Sequence, residues 1–142
     1  MTLNSYSQPD QSAWYLKPIT EIKGVLHALT MTRDGMVQAT SENLKRDDAE
    51  GIGAMTSAFY AAARAATNTA LGQPENTPLV TATTQNEHGI YMVMPAGDNT
   101  LIAAAGTDDM PMGVVAGAMA RQAMKLGQQS MSVPARAQDG LS

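Results

Sequence analysis

The stretch "GIGAMTSAFYAAARAATNTAL" runs from Gly51 to Leu71 and carries one charge, Arg64. Almost every other residue in it is small or apolar. Three things could cover such a segment: a bilayer, the chain's own core, or a second copy of the chain. A spanning helix needs about 20 predominantly apolar residues. This stretch interposes Thr56, Ser57, Tyr60, Arg64, Thr67, Asn68 and Thr69, and its remaining residues are mostly Ala and Gly, which drive insertion weakly. It also lacks the Lys/Arg face of an interfacial helix. No membrane insertion is expected, which leaves the core and the second copy.

At about 100° per residue the helix divides into three faces. Ile52, Met55, Phe59, Ala62 and Ala66 form a stripe that holds the large apolar side chains, and the pattern predicts that it faces a sheet. Gly51, Ala54, Ala58, Ala61 and Ala65 form a second stripe in which every member is small. Two readings fit that stripe. Ala is the best helix former and is common on exposed faces; alternatively, two helices can approach toward the short end of the usual interaxial range of about 8–10 Å and bury the stripe against itself about a two-fold axis. Thr56, Tyr60, Arg64 and Thr67 occupy the third, more polar side and are the candidate partner-binding residues. The plain alternative is a solvated face on which Tyr60 and Arg64 stack at i,i+4.

Working outward, "SENLKRDDAEG" is a polar lead-in. Asp47 and Glu50 have capping-box spacing, and the acids suit a helix N-terminus. The helix is predicted from about Asp48 to Leu71, with Gly72 and Pro74 stopping it. Upstream, "VLHALTMTRDGMVQATS" reads as a hairpin, because Asp34-Gly35 is a strong turn signal between alternating runs. Before it, Ser12 caps a short helix from Ala13 to Ile22 that Pro18 interrupts. Downstream, "PLVTATTQN", "GIYMVMPAGDN" and "TLIAAAGT" read as three strands. Ala103, Ala104 and Ala105 place small residues on both faces of the last one, which suits the middle of a sheet with helices close on either side. "PMGVVAGAMARQAMKLGQQ" is a second helical run with Gly127 near its end. The order α-ββ-α-βββ-α predicts an α+β domain: a five-stranded antiparallel sheet with the middle helix on one face and the other two on the opposite face. The domain is expected over residues 12–128, between a disordered tail at 1–11 and another at 129–142.

Composition agrees with one small core. The chain has 142 residues, 44% hydrophobic and 15% charged, which is enough apolar content to fold. A net charge of -4 and six aromatic residues (one Trp, four Tyr, one Phe) give nucleic-acid binding no support. There is no cysteine, so disulfides and thiolate metal sites are excluded. "MTLNSYSQPDQSAW" lacks the basic and apolar regions of a secretory signal, and a cytoplasmic protein is expected.

A search for catalytic chemistry returns nothing. No Walker A or nucleophile-elbow pattern occurs; "GIGAMT" lies within a helix without a following Lys and reads as a packing feature. His27 and His88 fall in different hairpins without ligand-spaced neighbours. Asp108 and Asp109 read as caps of the last helix, Asp98 as a turn residue. No catalytic residue, metal or cofactor is expected, and the chain is expected not to be an enzyme.

The element order, "GVLHALTMTRDGMVQATS", the "RDDAE" helix entry and "MPAGDNTLIAAAGTDDMPMGVVAGAMARQ" together resemble the roadblock/dynein light chain family, in particular its bacterial, actinobacterial and MglB-like members. The likeness covers about residues 13–128. Pro18 and the Ala-rich middle helix depart from the pattern. The resemblance implies a homodimer in which the middle helices pair and the strands after them join two sheets into one. Here that strand is "PLVTATTQ", with Leu79, Thr81 and Thr83 at the joint beside Gly51, Ala54, Ala58, Ala61 and Ala65. It further implies regulation of a small Ras-like GTPase through protein contacts, by activating hydrolysis or by scaffolding. A scaffold or sensor-complex subunit without effect on turnover, and a small-ligand sensory domain, are the alternative readings.

Overall fold

The computed structural model describes residues 13–141, and side chains within 14–128. The elements are α1 (Lys17–Thr20), preceded by a 3-10 turn at Ala13–Tyr15, β1 (Val25–Thr32), β2 (Val37–Thr40), α2 (Arg46–Leu71), β3 (Ala82–Asn86), β4 (Gly89–Pro95), β5 (Thr100–Thr107) and α3 (Met112–Leu141). The sheet order is β2-β1-β5-β4-β3, antiparallel throughout, with β5 at its centre.

The alanines of β5 account for that central place. Ala103 lies opposite Leu29 and Val93, and all three belong to the core on the α2 side. Ala104 lies opposite Ala28 and Met92 and joins the other core, with Leu16 and Ile19 near α1 and Val115, Ala118 and Met119 of α3. Successive strand residues face opposite ways, so one small-residue strand admits helices closely on both faces. The middle helix covers one face and the remaining helices cover the other, as the pattern predicts.

The turn between β1 and β2 is built on Gly35, whose φ of +97° a side chain would strain. The same turn lies against α2. A Cβ on Gly53 would stand 2.7 Å from the Gly35 carbonyl oxygen, whereas one on Gly51 would meet nothing within 4 Å. Only the second glycine of "GIG" is therefore a packing glycine. At its other end α2 stops at Gly72 (φ +67°), with the Gly72 N–H on Thr69 O at 3.2 Å and the Gln73 N–H on Asn68 O at 2.8 Å. Asn68 is buried and its Nδ2 donates to Glu75 O (3.1 Å) and Thr77 O (2.9 Å), which ties the chain leaving α2 back onto the helix.

Several boundaries differ from expectation. The first helix is a 3-10 turn and a four-residue α1 because Pro18, lacking an N–H, fits only the first turn of a helix. α2 begins at Arg46 with Lys45 at the N-cap and no side-chain cap, so the Asp47–Glu50 capping box is not formed; Glu50 instead pairs with Arg46 at 3.3 Å. β3 starts at Ala82, leaving 78–81 as a connection. The α3 backbone runs to Leu141, beyond Gly127, near which the sequence pattern ends the helix and after which it expects a disordered tail at 129–142. The expected tail at 1–11 lies outside the described residues.

Candidate functional site

The long helix lies on the sheet in an orientation that the apolar stripe does not predict. Its buried residues are Ala49, Gly53, Thr56, Tyr60 and Asn68. Thr56 and Tyr60, expected on the outward face, are 2% and 3% exposed and point into the sheet. Arg64 is partly exposed on that side and Thr67 is exposed. The correction amounts to a rotation of about 100°, one residue's step of the helix. The physical reason lies beneath the helix. The Gly53–Gly35 crossing brings the helix in tightly against the β1–β2 hairpin, and the core on this side of the sheet includes the small Ala103 of β5. Small residues and the hydroxyl of Thr56 fit that space, while Tyr60 reaches Leu29, Leu79 and their neighbours in the core.

The rotation moves the other two stripes as well. Ile52 and Phe59 are half-buried and Met55 is 67% exposed, so the apolar stripe forms a flank beside the sheet face. Gly51, Ala54, Ala58, Ala61 and Ala65 are all exposed and point away from the sheet. Of the strand positions expected at a joint, Thr83 is exposed on β3. Thr81 is exposed just before β3 and donates its hydroxyl to Val93 O at 3.2 Å. Leu79 is 8% exposed and packs mainly in its own chain's core.

The flank and the sheet enclose an open cleft of about 320 Å³. Its wall is Ile52, Met55, Thr56 and Phe59. Its floor is a single cross-strand row, Thr84 of β3, Tyr91 of β4 and Ala105 of β5. At the base the hydroxyls of Thr56 and Tyr91 share a hydrogen bond of 2.5 Å, so each satisfies the other below an apolar lining. Burial pushes the Tyr91 phenol above its ordinary pKa, and the Thr56 hydrogen bond partly offsets this. The cleft runs to β3, which among the described residues pairs only with β4 and forms a free edge of the sheet. Four of its five residues are exposed.

The lining of the cleft is mainly apolar, with Thr56, Thr84 and Tyr91 as its polar side chains. Among the described residues no three His, Cys, Asp or Glu side chains are grouped to hold a metal. His27 Nδ1 lies 3.2 Å from Asn43 Oδ1, and His88 sits in an exposed turn whose N–H donates to Asn86 Oδ1 at 2.7 Å. Asp109 accepts from the Thr107 hydroxyl at the turn into α3. No helix among the described residues is long and apolar enough to cross a membrane.

Comparison with known proteins agrees with this geometry. The profile of the Roadblock/LC7 domain matches residues 15–105. In solved structures the chain is similar to a Roadblock/LC7 domain from Streptomyces avermitilis, with a TM-score of 0.75 at 18% identity over 84% of this chain and 97% of that one. It is similar to the gliding protein MglB from Thermus thermophilus, with 0.70 at 22% identity over 86% and 90%. An MglB described as having a tetrameric arrangement gives 0.72 at 23% identity over 86% and 89%. These identities carry the fold alone. No curated protein matches the chain in sequence.

Proposed function

Because the chain belongs to the Roadblock/LC7 family, we propose that it acts as a homodimer that regulates a small Ras-like GTPase in the cytoplasm through protein contacts. The observation that carries the reading is the apolar flank of α2 standing beside the free edge of β3, with the cleft between them. An unpaired edge strand is a liability that pairing with a second copy removes. In that dimer Thr83 lies at the strand joint, and Met55 and Phe59 of each copy enter the other's cleft. The stripe of Gly51, Ala54, Ala58, Ala61 and Ala65 then faces outward from both helices, side by side. A smooth platform of this kind allows a partner's backbone to approach closely, and it regulates by positioning the partner's switch segments.

Light scattering tests the dimer: the unmodified chain is expected to be dimeric at micromolar concentration and Met55→Glu monomeric with an unchanged circular dichroism spectrum. A monomeric parent refutes it. Co-purification with a Ras-like GTPase, followed by GTP turnover with and without the chain, tests the regulation. Binding without a change in turnover moves the reading to a scaffold.

A further inference from the structure

Away from α2, at the β2 end of the sheet, lies another open cleft, of about 550 Å³. It stands between α1 and residues 41–43, which leave β2. Its neutral polar side chains are already engaged by the chain itself. The Thr20 hydroxyl donates to Leu16 O at 3.3 Å, and Ser41 Oγ accepts from the Ala28 N–H at 3.0 Å. Asn43 Oδ1 lies 3.2 Å from His27 Nδ1. What the cleft still offers is apolar surface and charge. Trp14 is 58% exposed and Leu26 is 52% exposed. The indole is stacked on the buried Tyr15 ring, centroids 3.9 Å apart, which holds it in place. Leu26 is passed over in the β1–β5 register, between Val25 opposite Gly106 and His27 opposite Ala105. A bulge of this kind re-aims a side chain, and Leu26 belongs to the lining.

Three charged side chains line the cleft: Lys17, Glu21 and Glu42. All are exposed, and none is in an ion pair among the described residues, where the pairs are Arg46–Glu50 and Glu87–His88. Two carboxylates against one ammonium leave an excess of negative charge. An exposed indole also attracts a cation to its face. An inorganic cation answers the carboxylates and leaves Trp14 and Leu26 uncovered. A Lys or Arg side chain answers all of these, because its hydrocarbon stem covers apolar surface while its head meets the carboxylates. Residues 1–11, which adjoin Trp14 along the chain, contain neither Lys nor Arg, so that segment does not supply the side chain.

We propose that this cleft is a docking site for a Lys- or Arg-bearing segment of a protein partner, with the cation held by Glu21, Glu42 and the Trp14 ring and the stem on Leu26. The site is independent of the regulatory reading above. β2 and β3 are opposite ends of the sheet, and α1 and α2 pack on different cores, so a second copy seated on β3 and α2 leaves this cleft open. Trp14 is the only tryptophan in the chain, so tryptophan emission reports on the cleft directly. The full chain is titrated with acetyl-Leu-Arg-Leu amide and with its Gln and Glu counterparts at fixed ionic strength. Emission and its quenching by acrylamide are both followed. The free chain is expected to be quenched readily. The arginine peptide is expected to shift emission along a saturating curve and to slow quenching, the glutamine peptide to bind several-fold more weakly, and the glutamate peptide more weakly still. Glu21→Gln and Glu42→Gln should each weaken the arginine peptide by about two- to five-fold, the effect of an exposed ion pair. Lys17→Gln should strengthen it, since a like charge is removed. Each variant is expected to keep its circular dichroism spectrum.

The proposal is overturned if emission ignores the arginine peptide, or if the glutamine peptide binds as well, which makes the cleft apolar only. Tightest binding of the glutamate peptide, or weaker arginine binding in Lys17→Gln, overturns it by giving the cleft the wrong sign. An indole that resists acrylamide in the free chain assigns the cleft to the chain's own adjoining segment. Emission that changes on dilution of the chain alone assigns it to a second copy. Either of these also overturns the docking of a partner.

Discussion

Replacing each glycine of "GIG" by alanine separates packing from propensity within one helical turn. Both substitutions gain the helix propensity of Ala over Gly, about 1 kcal/mol. At Gly51 nothing lies within 4 Å of the new methyl group, so that gain should appear in full. At Gly53 the methyl carbon would stand 2.7 Å from Gly35 O and 3.1 Å from Val37 Cγ2. Ordinary contact begins at 3.4 Å, so helix and turn must part by about 0.7 Å (3.4 minus 2.7). The turn yields poorly, because a Cβ on Gly35 would likewise stand only 3.1 Å from Gly53 O, and Arg33 O is held by Ser57. Overpacking against backbone costs about 2–3 kcal/mol, leaving Gly53→Ala about 1–2 kcal/mol less stable than the parent. The two variants should then differ by about 2–3 kcal/mol, or about 6–9 °C in Tm for a chain of this size. Thermal unfolding by circular dichroism measures this, at one fixed protein concentration since self-association would make Tm depend on it. Variants melting within about 2 °C of each other, or a stabilised Gly53→Ala, would refute the close crossing.

Tyr91 gives a pH test. Its folded pKa is raised above the unfolded value of 10.0 by burial. Its contribution to stability is therefore complete below that value and is lost as pH rises through the folded pKa. Urea unfolding from pH 8 to 11 should show an alkaline loss that is smaller in Tyr91→Phe. Asn68→Ala removes the two donors that hold Glu75 O and Thr77 O, at a cost of about 1–3 kcal/mol, and should raise amide exchange across residues 72–79. A chain of residues 12–128 should melt within about 2 °C of the full chain, because the sequence of 129–142 is polar, contains Pro134 and Gly140 and lacks apolar periodicity; a larger drop would show that an end of the chain docks.

The strands were legible because their signals are local. Asp34-Gly35 marks a turn, "TLIAAAGT" contains β5 from Thr100 to Thr107, and three consecutive alanines suit a strand covered on both faces. The resemblance carried the same order and the family. Cap and boundary details were less legible. Nothing in the spacing of Asp47 and Glu50 tells that Glu50 will turn to Arg46, and the run "PLVTATTQN" does not tell that Leu79 packs inward before β3 begins.

The rotation of α2 was hidden for a more general reason. Reading a helix by its most apolar stripe assumes that the chain buries that stripe by itself. Here a glycine crossing with the β1–β2 turn turns Gly53, Ala49 and Thr56 inward, so that Ile52 and Phe59 reach the core only from the side. Those residues move to the flank, where Met55 stays exposed above a cleft that one chain leaves open. The partner of Gly35 was the available signal. A glycine inside a helix is unfavourable unless something must come close, and the helix carries two, of which one faces a turn that also needs glycine. Had Gly53 been paired with that turn, Thr56 and Tyr60 would have followed it inward at helical spacing. The apolar stripe would then have been left facing a free strand edge, where a single chain has nothing to cover it.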